Sequence, residues 1–522
     1  MALPPLINSL LDPGAYQENP PSVELKQTHI SYVLLTPRYA YKIKKPVDLG
    51  FLDFTTLEKR RFFCEEEVRL NRRLSTGVYL GVVPVAEEGG RVMMEGKGVP
   101  VEWAVKMKRL ADDTILEDAI KREKADAQTM RRIARVIAAF HAKAETGGHI
   151  NEFGGIEAIR KNTGENFAQT AAFIGKTISK RQFEGLKAFT DNFLASNAAL
   201  FRKRVEGGFI KDCHGDMHAE HVSISNGIAI IDCIEFNERF RFSDIVSDVA
   251  FLSMDVEYHG RGDLSRALVD EYFKAASDAD GIRLLNFYKC YRAYVRGKVA
   301  GFKSLEEEVP PEDKEDALLD AMLHFRMAAL YAGGGFKPAL VIIRGLSGAG
   351  KTALAGALKD TLGGAHISSD VIRKELAGVK PSEHKGAAWG QGIYSPEWTE
   401  RTYAGLIKKA VAFVRSGRTC IADATFSKAA HLKEALKAAD NAGATVYVME
   451  CRADDETVRA RLFNRASGQR GGASDADWEI YKRQKTGFEA VDARRLIVEA
   501  QRPLKENVAA AIGFVCGFKD LD

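Results

Sequence analysis

The chain has 522 residues, 45% hydrophobic and 28% charged, which are globular values and imply two to four domains with a sizeable core. Its 75 basic and 71 acidic residues leave a net charge of +4, too balanced for broad nucleic-acid or membrane-surface binding to be the main activity. Seven cysteines, odd in number and without a C-x-x-C pair, read as reduced thiols; with no signal-peptide pattern and no apolar run of spanning length, a cytoplasmic protein is expected.

Taken in order, residues 28–35 and 39–44 read as paired strands around Thr36-Pro37-Arg38. A charge-dense helix is expected over about 55–74, then strands at 82–86, 91–94 and 101–107. From 125 onward the apolar spacing turns helical, at 129–144, 183–201, 264–276 and 284–302, interrupted by a β-rich insert over 210–236. A small sheet lobe followed by a mostly helical one is the outline. Asp244 and Asp248 are expected on one helical face, as structural support.

The insert carries chemistry. Cys213-His214-Gly215-Asp216-Met217-His218 precedes Ile228-Ala229-Ile230-Ile231-Asp232. Two aspartates 16 residues apart, each beside an apolar strand, suit phosphoryl transfer: one receives the proton of an attacking hydroxyl, the other holds Mg²⁺. The H-G-D-x-H and I-D motifs resemble the aminoglycoside phosphotransferase and protein-kinase-like family, over roughly 20–310. That resemblance implies Asp216 as base, Asp232 as metal ligand, Lys42 as the nucleotide-binding strand lysine and Glu67 as its helix partner. Lys44 lies on the same strand face and competes with Lys42. The family's second Mg²⁺ ligand, Asn five residues after the base, is here His221, a poorer match for a hard cation. The lobe is then a slow kinase, uses another ligand such as Glu235, or has lost catalysis. A rival reading takes His214, His218, His221 and Asp232 as a Zn²⁺ site of a hydrolase.

Gly333-Gly334-Gly335 and Lys337-Pro338 mark a linker over 333–338, between domains 1–332 and 339–522. An apolar strand over 340–343 runs into Gly345-Leu346-Ser347-Gly348-Ala349-Gly350-Lys351-Thr352, and a helix follows. The spacing is that of a phosphate loop: backbone N–H groups converge on phosphate oxygens, Lys351 reaches the β/γ-phosphates and the Thr352 hydroxyl ligates Mg²⁺. Further strands are expected at 365–368, 419–422, 445–451 and 496–499, separated by helices at 396–415, 428–442 and 455–466. The alternation implies a five-stranded parallel sheet with its ligands at the strand C-termini. Asp370 and Arg373 follow the second strand and Asp423 the third; a carboxylate there can take the acceptor's proton and an arginine can hold phosphate. Arg461 and Arg465, one turn apart, tolerate their repulsion more readily if they meet phosphates.

These residues resemble the P-loop small-molecule kinases over roughly 338–515. The resemblance implies Asp370 as base, Arg373 as substrate contact, Arg461 and Arg465 as lid arginines and Asp423 as a metal residue, with the acceptor as its alternative partner. Together the halves resemble bifunctional proteins joining an aminoglycoside-phosphotransferase-like domain to a P-loop kinase domain. The expectation is an ATP- and Mg²⁺-dependent phosphotransferase of mixed α/β and α+β class, acting on a small-molecule hydroxyl, with a polynucleotide the least favoured acceptor. Its rivals are a C-terminal kinase or ATPase gated by an N-terminal pseudokinase, and the metal hydrolase.

Overall fold

The computed structural model describes residues 3–225, 227–380, 391–466 and 476–518, without the side chains of Arg465 and Ala466. They form two compact units, one of Met1–Asn166, Phe189–Asp255 and Arg266–Arg292, the other of Phe167–Ala188, Val256–Ser265 and Ala293–Asp522.

The first unit opens with an antiparallel sheet of strands β1 (Glu24–Gln27), β2 (Ser31–Leu35), β3 (Tyr39–Lys44), β4 (Tyr79–Glu88), β5 (Arg91–Met94) and β6 (Val99–Lys108), in the order β1-β2-β3-β6-β4-β5. Helix α1 (Leu57–Asn71) lies between β3 and β4 in sequence and starts where Thr56 accepts the Lys59 N–H. Strand alternation sorts β3. Tyr41 and Ile43 join one apolar cluster, while Ala40 joins another with Cys64 and Val68 of α1. Lys42 and Lys44, two and four residues on from Ala40, therefore face α1 too.

Helices follow: α2 (Ala127–Lys143), α3 (Ile156–Thr170), α4 (Lys180–Ser196) and α5 (Ala198–Glu206). The single helix expected over 183–201 is two, because Asn197 turns its side-chain amide onto the Phe193 carbonyl and leaves helical geometry. The insert holds three short strands, β7 (Ile210–Asp212), β8 (Val222–Ser223) and β9 (Ala229–Ile230), and just beyond it β10 (Phe242–Asp244) pairs with β7. Then come α6 (Ile245–Tyr258), α7 (Gly262–Ala276) and α8 (Leu285–Lys303). Asp244 and Asp248 do not share a helical face: Asp244 ends β10 and is clamped by Arg204, whereas Asp248 sits in the first turn of α6.

The second unit contains helix α9 (Pro311–Ala332), with Pro311 at its first position and Glu312 and Asp313 in its first turn. Its sheet is parallel, built from β11 (Ala339–Arg344), β12 (Ala365–Ser368), β13 (Cys420–Asp423), β14 (Thr445–Arg452) and β15 (Arg495–Glu499) in the order β12-β13-β11-β14-β15. The connecting helices include α10 (Lys351–Leu362), α11 (Ser369–Leu376), α12 (Pro396–Ser416), α13 (Ala429–Asp440), α14 (Asp455–Ala466), α15 (Trp478–Thr486) and α16 (Leu504–Val515). All six residues of β11 are buried. Val341 and Ile343 pack with α10 and α16 on one face, and Leu340 and Ile342 with α12 and α13 on the other. This is why the strand reads as a continuous apolar run. The compact units do not divide at 333–338, because Leu319, Met322 and Leu323 of α9 belong to the β11–α10–α16 core. All seven cysteines are buried free thiols. No helix among the described residues is long and apolar enough to cross a membrane.

Candidate active sites

In the second unit, β11 ends at Arg344 and the chain turns sharply at Gly345, where φ is 145° and an added Cβ would meet the Cys451 carbonyl oxygen at 2.4 Å. Gly348 and Gly350 also take positive φ, 81° and 88°, and α10 begins at Lys351 with no side chain capping it. An uncapped helix N-terminus behind a glycine loop presents backbone donors to an anion. The loop opens on a cavity of about 750 Å³. Lys351, Thr352, Asp370, Arg373, Asp423 and Arg461 all line it, so residues spread over more than a hundred positions meet at one site.

The parallel order explains the meeting. β12 and β13 lie side by side, with Ser368 opposite Asp423, and α11 leaves from the end of β12 with Ser368 as its cap. Asp370 and Arg373 thus occupy the first turns of a helix that starts beside Asp423. Asp423 is buried and bonded through Oδ2 to His366 Nε2 at 3.0 Å. The Arg373 guanidinium donates to the Ile393 carbonyl at 2.6 Å and lies over the Tyr394 ring, while its buried Nε has no hydrogen-bond partner among the described residues. Burial holds its pKa below the usual arginine value. A desolvated guanidinium with an unmatched donor is suited to an anionic ligand. Donors that a nucleotide's phosphates would use are engaged internally: Ser347 N–H donates to Gln484 Oε1 at 3.0 Å, and Lys351 Nζ to the Leu346 carbonyl at 2.9 Å. Arg461 bonds the carbonyls of Gly348 and Ala500 at 3.2 and 2.7 Å. It lines the cavity from the loop's own backbone, whereas the Arg465 side chain lies outside the described residues. The loop glycines, Lys351, Thr352 and Asp423 fit a nucleotide with Mg²⁺ in donor chemistry and space.

In the first unit, Lys42 Nζ stands 2.5 Å from Asp232 Oδ1 and 3.0 Å from Glu67 Oε1. Burial disfavours its charge, but Asp232 and Glu67 outweigh that and raise its pKa. Lys44 is fully buried, pairing with Glu67 at 2.8 Å and with Glu235. Glu235 thus gives its Oε1 to Lys44. Burial pushes its pKa up, against the pull of Lys44.

The segment 213–218 is held rigidly from behind. Asp248 accepts from the backbone N–H of His214 at 2.7 Å and of Gly215 at 2.9 Å, and the Arg292 guanidinium donates to the Gly215 carbonyl at 2.7 Å. Gly215 has φ 85°, and a Cβ there would stand 2.9 Å from the Phe240 carbonyl. Burial depresses the His214 pKa to about 4, so the ring is neutral and donates from Nε2 to the Ile231 carbonyl at 2.9 Å. Asp232 adopts left-handed φ of 62°, and its N–H bonds the Tyr79 hydroxyl at 3.2 Å. A strained non-glycine residue held by its surroundings is a frequent mark of function. Although its partial burial opposes this, Lys42 and His221 keep the Asp232 carboxyl well below the usual carboxylate range. His221 Nε2 lies 3.5 Å from Asp232 Oδ2, and its Nδ1 lies 3.6 Å from Asp216 Oδ2. Asp216, Asp232, Lys42, Glu67 and His221 are thus brought together.

Sequence reasoning missed His366, Gln484, Tyr394, Tyr79 and Arg292. None sits in a motif. Only His366, within the strand before Ser369-Asp370, had a positional signal.

A family model described as AAA domain matches residues 340–491. The uncharacterized protein Rv2004c of Mycobacterium tuberculosis is 30% identical over 461 residues, covering 88% of this chain and 89% of that protein. Among solved structures, a gluconokinase from Sinorhizobium meliloti is 16% identical with TM-score 0.26, covering 34% of this chain and 94% of that one. A putative aminoglycoside phosphotransferase from Ralstonia eutropha is 12% identical with TM-score 0.37, covering 60% and 93%.

Proposed function

For a chain that belongs to the family of the mycobacterial protein Rv2004c, and whose second unit matches an AAA domain, we propose an ATP-dependent phosphotransferase acting on a small-molecule hydroxyl. The observation that carries this is the convergence of the phosphate loop, Asp370, Arg373 and Asp423 on one cavity. A motor-type ATPase needs the loop and a metal carboxylate; a carboxylate and a buried arginine across the cavity are what an acceptor requires.

Loop N–H groups and Lys351 bind the nucleotide phosphates, and Thr352 and Asp423 would hold Mg²⁺. The metal would supply neutralisation of the phosphate charge. Asp370 takes the acceptor hydroxyl's proton as its oxygen bonds to the γ-phosphorus and the bond to the β-phosphate oxygen breaks, leaving ADP. Arg373 orients the acceptor or the transferring group, and Arg461 pins the loop backbone. His366 holds the Asp423 carboxylate. The nearly balanced charge favours a small acceptor over a polynucleotide, and a cytoplasmic setting accords with the free thiols.

The first unit is proposed as a second phosphotransfer site, with Asp216 as base and Lys42 on the nucleotide phosphates. The replacement of the usual asparagine by His221 favours one rival, a nucleotide-sensing unit without turnover that gates the C-terminal kinase. Labelled ATP and a metabolite extract, incubated with wild type, Lys351→Ala and Asp216→Asn, separate these readings. Two phosphorylated products are expected, one reduced at least about 100-fold by each variant. Turnover of ATP without any phosphorylated product would overturn the kinase reading, and an Asp216→Asn variant indistinguishable from wild type would remove the second catalytic site.

A further inference from the structure

We propose, resting on the reading of the phosphate loop as a nucleotide site, that Gln484 is a further catalytic residue there. Its side-chain amide donates to the phosphate that is transferred.

Gln484 lies on α15, outside the loop motif, yet it lines the same cavity as Ser347, Lys351 and Asp370. Its Oε1 accepts the Ser347 N–H at 3.0 Å. A backbone N–H can only donate, so this bond sets the amide, with its oxygen toward the loop. Among the described residues Nε2 donates to no protein group.

The helix carrying this amide is anchored to the loop. Tyr481, three residues earlier, is buried in a cluster with Val458 and Leu462, against which Leu346 of the loop packs. Its hydroxyl donates to Asp455 Oδ1 at 2.7 Å, and Lys485 Nζ reaches the same oxygen at 2.6 Å. Ile480, one turn before Gln484, also lines the cavity, so one face of α15 presents both residues to it. A donor placed this way needs little reorganisation when charge develops beside it.

The position of Ser347 identifies the phosphate. Ile343 pairs in register with Asp423, and the Gly345 N–H bonds the Thr425 carbonyl at 3.3 Å. The first half of the loop therefore adjoins the strand end that carries Asp423, where Asp370 and Arg373 also enter the cavity, whereas Lys351 and Thr352 open α10. A nucleotide laid along the loop puts its terminal phosphate on the Asp423 side. An oxygen of that phosphate bonded to the Ser347 N–H meets the Gln484 head group at the same point. The last torsion of glutamine is broad, so Nε2 turns to that oxygen at little cost. Gln484 exchanges no proton. The acceptor's proton goes to Asp370 as its oxygen bonds to the γ-phosphorus, the bond to the β-phosphate oxygen breaks, and ADP leaves.

The full chain is titrated by calorimetry with ADP and with the imido analogue of ATP, both with Mg²⁺, and Lys351→Ala identifies the heat that belongs to this loop. Gln484→Met keeps the length and removes donor and acceptor; Gln484→Glu keeps the acceptor for Ser347 and removes the donors. Each is expected to weaken the analogue about 10- to 100-fold while ADP stays close to wild type. Circular dichroism and the melting midpoint confirm that each variant is folded. Tighter analogue binding by Gln484→Met would make the side chain a competitor of phosphate. A normal Gln484→Glu beside a weakened Gln484→Met would leave only a structural tie to Ser347. Either result overturns the proposal, as does equal weakening of ADP and analogue. Transfer from labelled ATP, followed on the same samples, keeps the two claims apart. Gln484-dependent binding of the analogue without any product defeats only the kinase reading, and unchanged product formation in Gln484→Met defeats only the role of Gln484.

Discussion

Lys42 and Lys44 are chemically identical and point the same way from β3, yet their surroundings assign them different work. Lys44 is sealed between Glu67 and Glu235, with its side chain at 0% exposure; Lys42 keeps 12% and reaches Asp232, which is 40% exposed. Lys42 is therefore the lysine that keeps an accessible face, and Lys44 holds the two buried glutamates. Removing one partner of a buried ion network leaves uncompensated charge and costs about 3–5 kcal/mol. Lys44→Ala is expected to lower the melting midpoint by on the order of 10 °C. Lys42→Ala should move it by only a few degrees while abolishing nucleotide protection at this unit. Calorimetry with and without nucleotide measures both, and the reverse pattern would exchange the two roles.

At the scale of the element, the segment 213–218 owes its shape to groups far away in sequence. Asp248 on α6 and Arg292 on α8 hold its backbone, and His214 is packed neutral beneath it. Burial brings the His214 pKa down to about 4 from an ordinary 6.5. The unfolded chain then binds a proton that the folded chain refuses between those values, so stability rises with pH across that window. It is fully present above about 6.5 and is lost as pH falls toward 4, by up to on the order of 3 kcal/mol. Urea unfolding of wild type at pH 7 and 5 should show this loss, and His214→Gln should show a shallower pH dependence. Equal slopes in the two proteins would refute the assignment to His214. Asp248, whose pKa is held at about 2 against its burial by its hydrogen bond with His141 and by the nearby Arg292, adds a loss only at lower pH.

For the whole molecule, the glycine-rich segment at 333–335 does not mark where the P-loop unit begins. Leu319, Met322 and Leu323 on the preceding helix are buried in the same core as α10 and α16. Burying three such side chains contributes on the order of 5 kcal/mol, comparable to the net stability of a domain. A fragment of 339–522 is therefore expected to be markedly less stable or insoluble, while 311–522 melts at a higher temperature. Equal melting of the two would show that α9 is dispensable.

What could be read directly was whatever depends on neighbours in sequence. The apolar run of β11, the loop from Gly345 to Thr352 and the placement of Asp370 and Arg373 one turn apart follow from local periodicity and backbone freedom. The parallel sheet followed from the alternation of strands with helices. Choices between equivalent residues did not. Lys42 against Lys44, the commitment of Glu235 and the pairing of Asp423 with His366 depend on which long-range partner arrives, and one sequence carries no distance information. Asn197 broke a helix whose apolar spacing continued through it, because a side-chain hydrogen bond competed with the backbone ladder. The identities of the candidate site residues were local in the chain; their charge states and orientations arose from burial and from the opposing residues that only tertiary structure supplies.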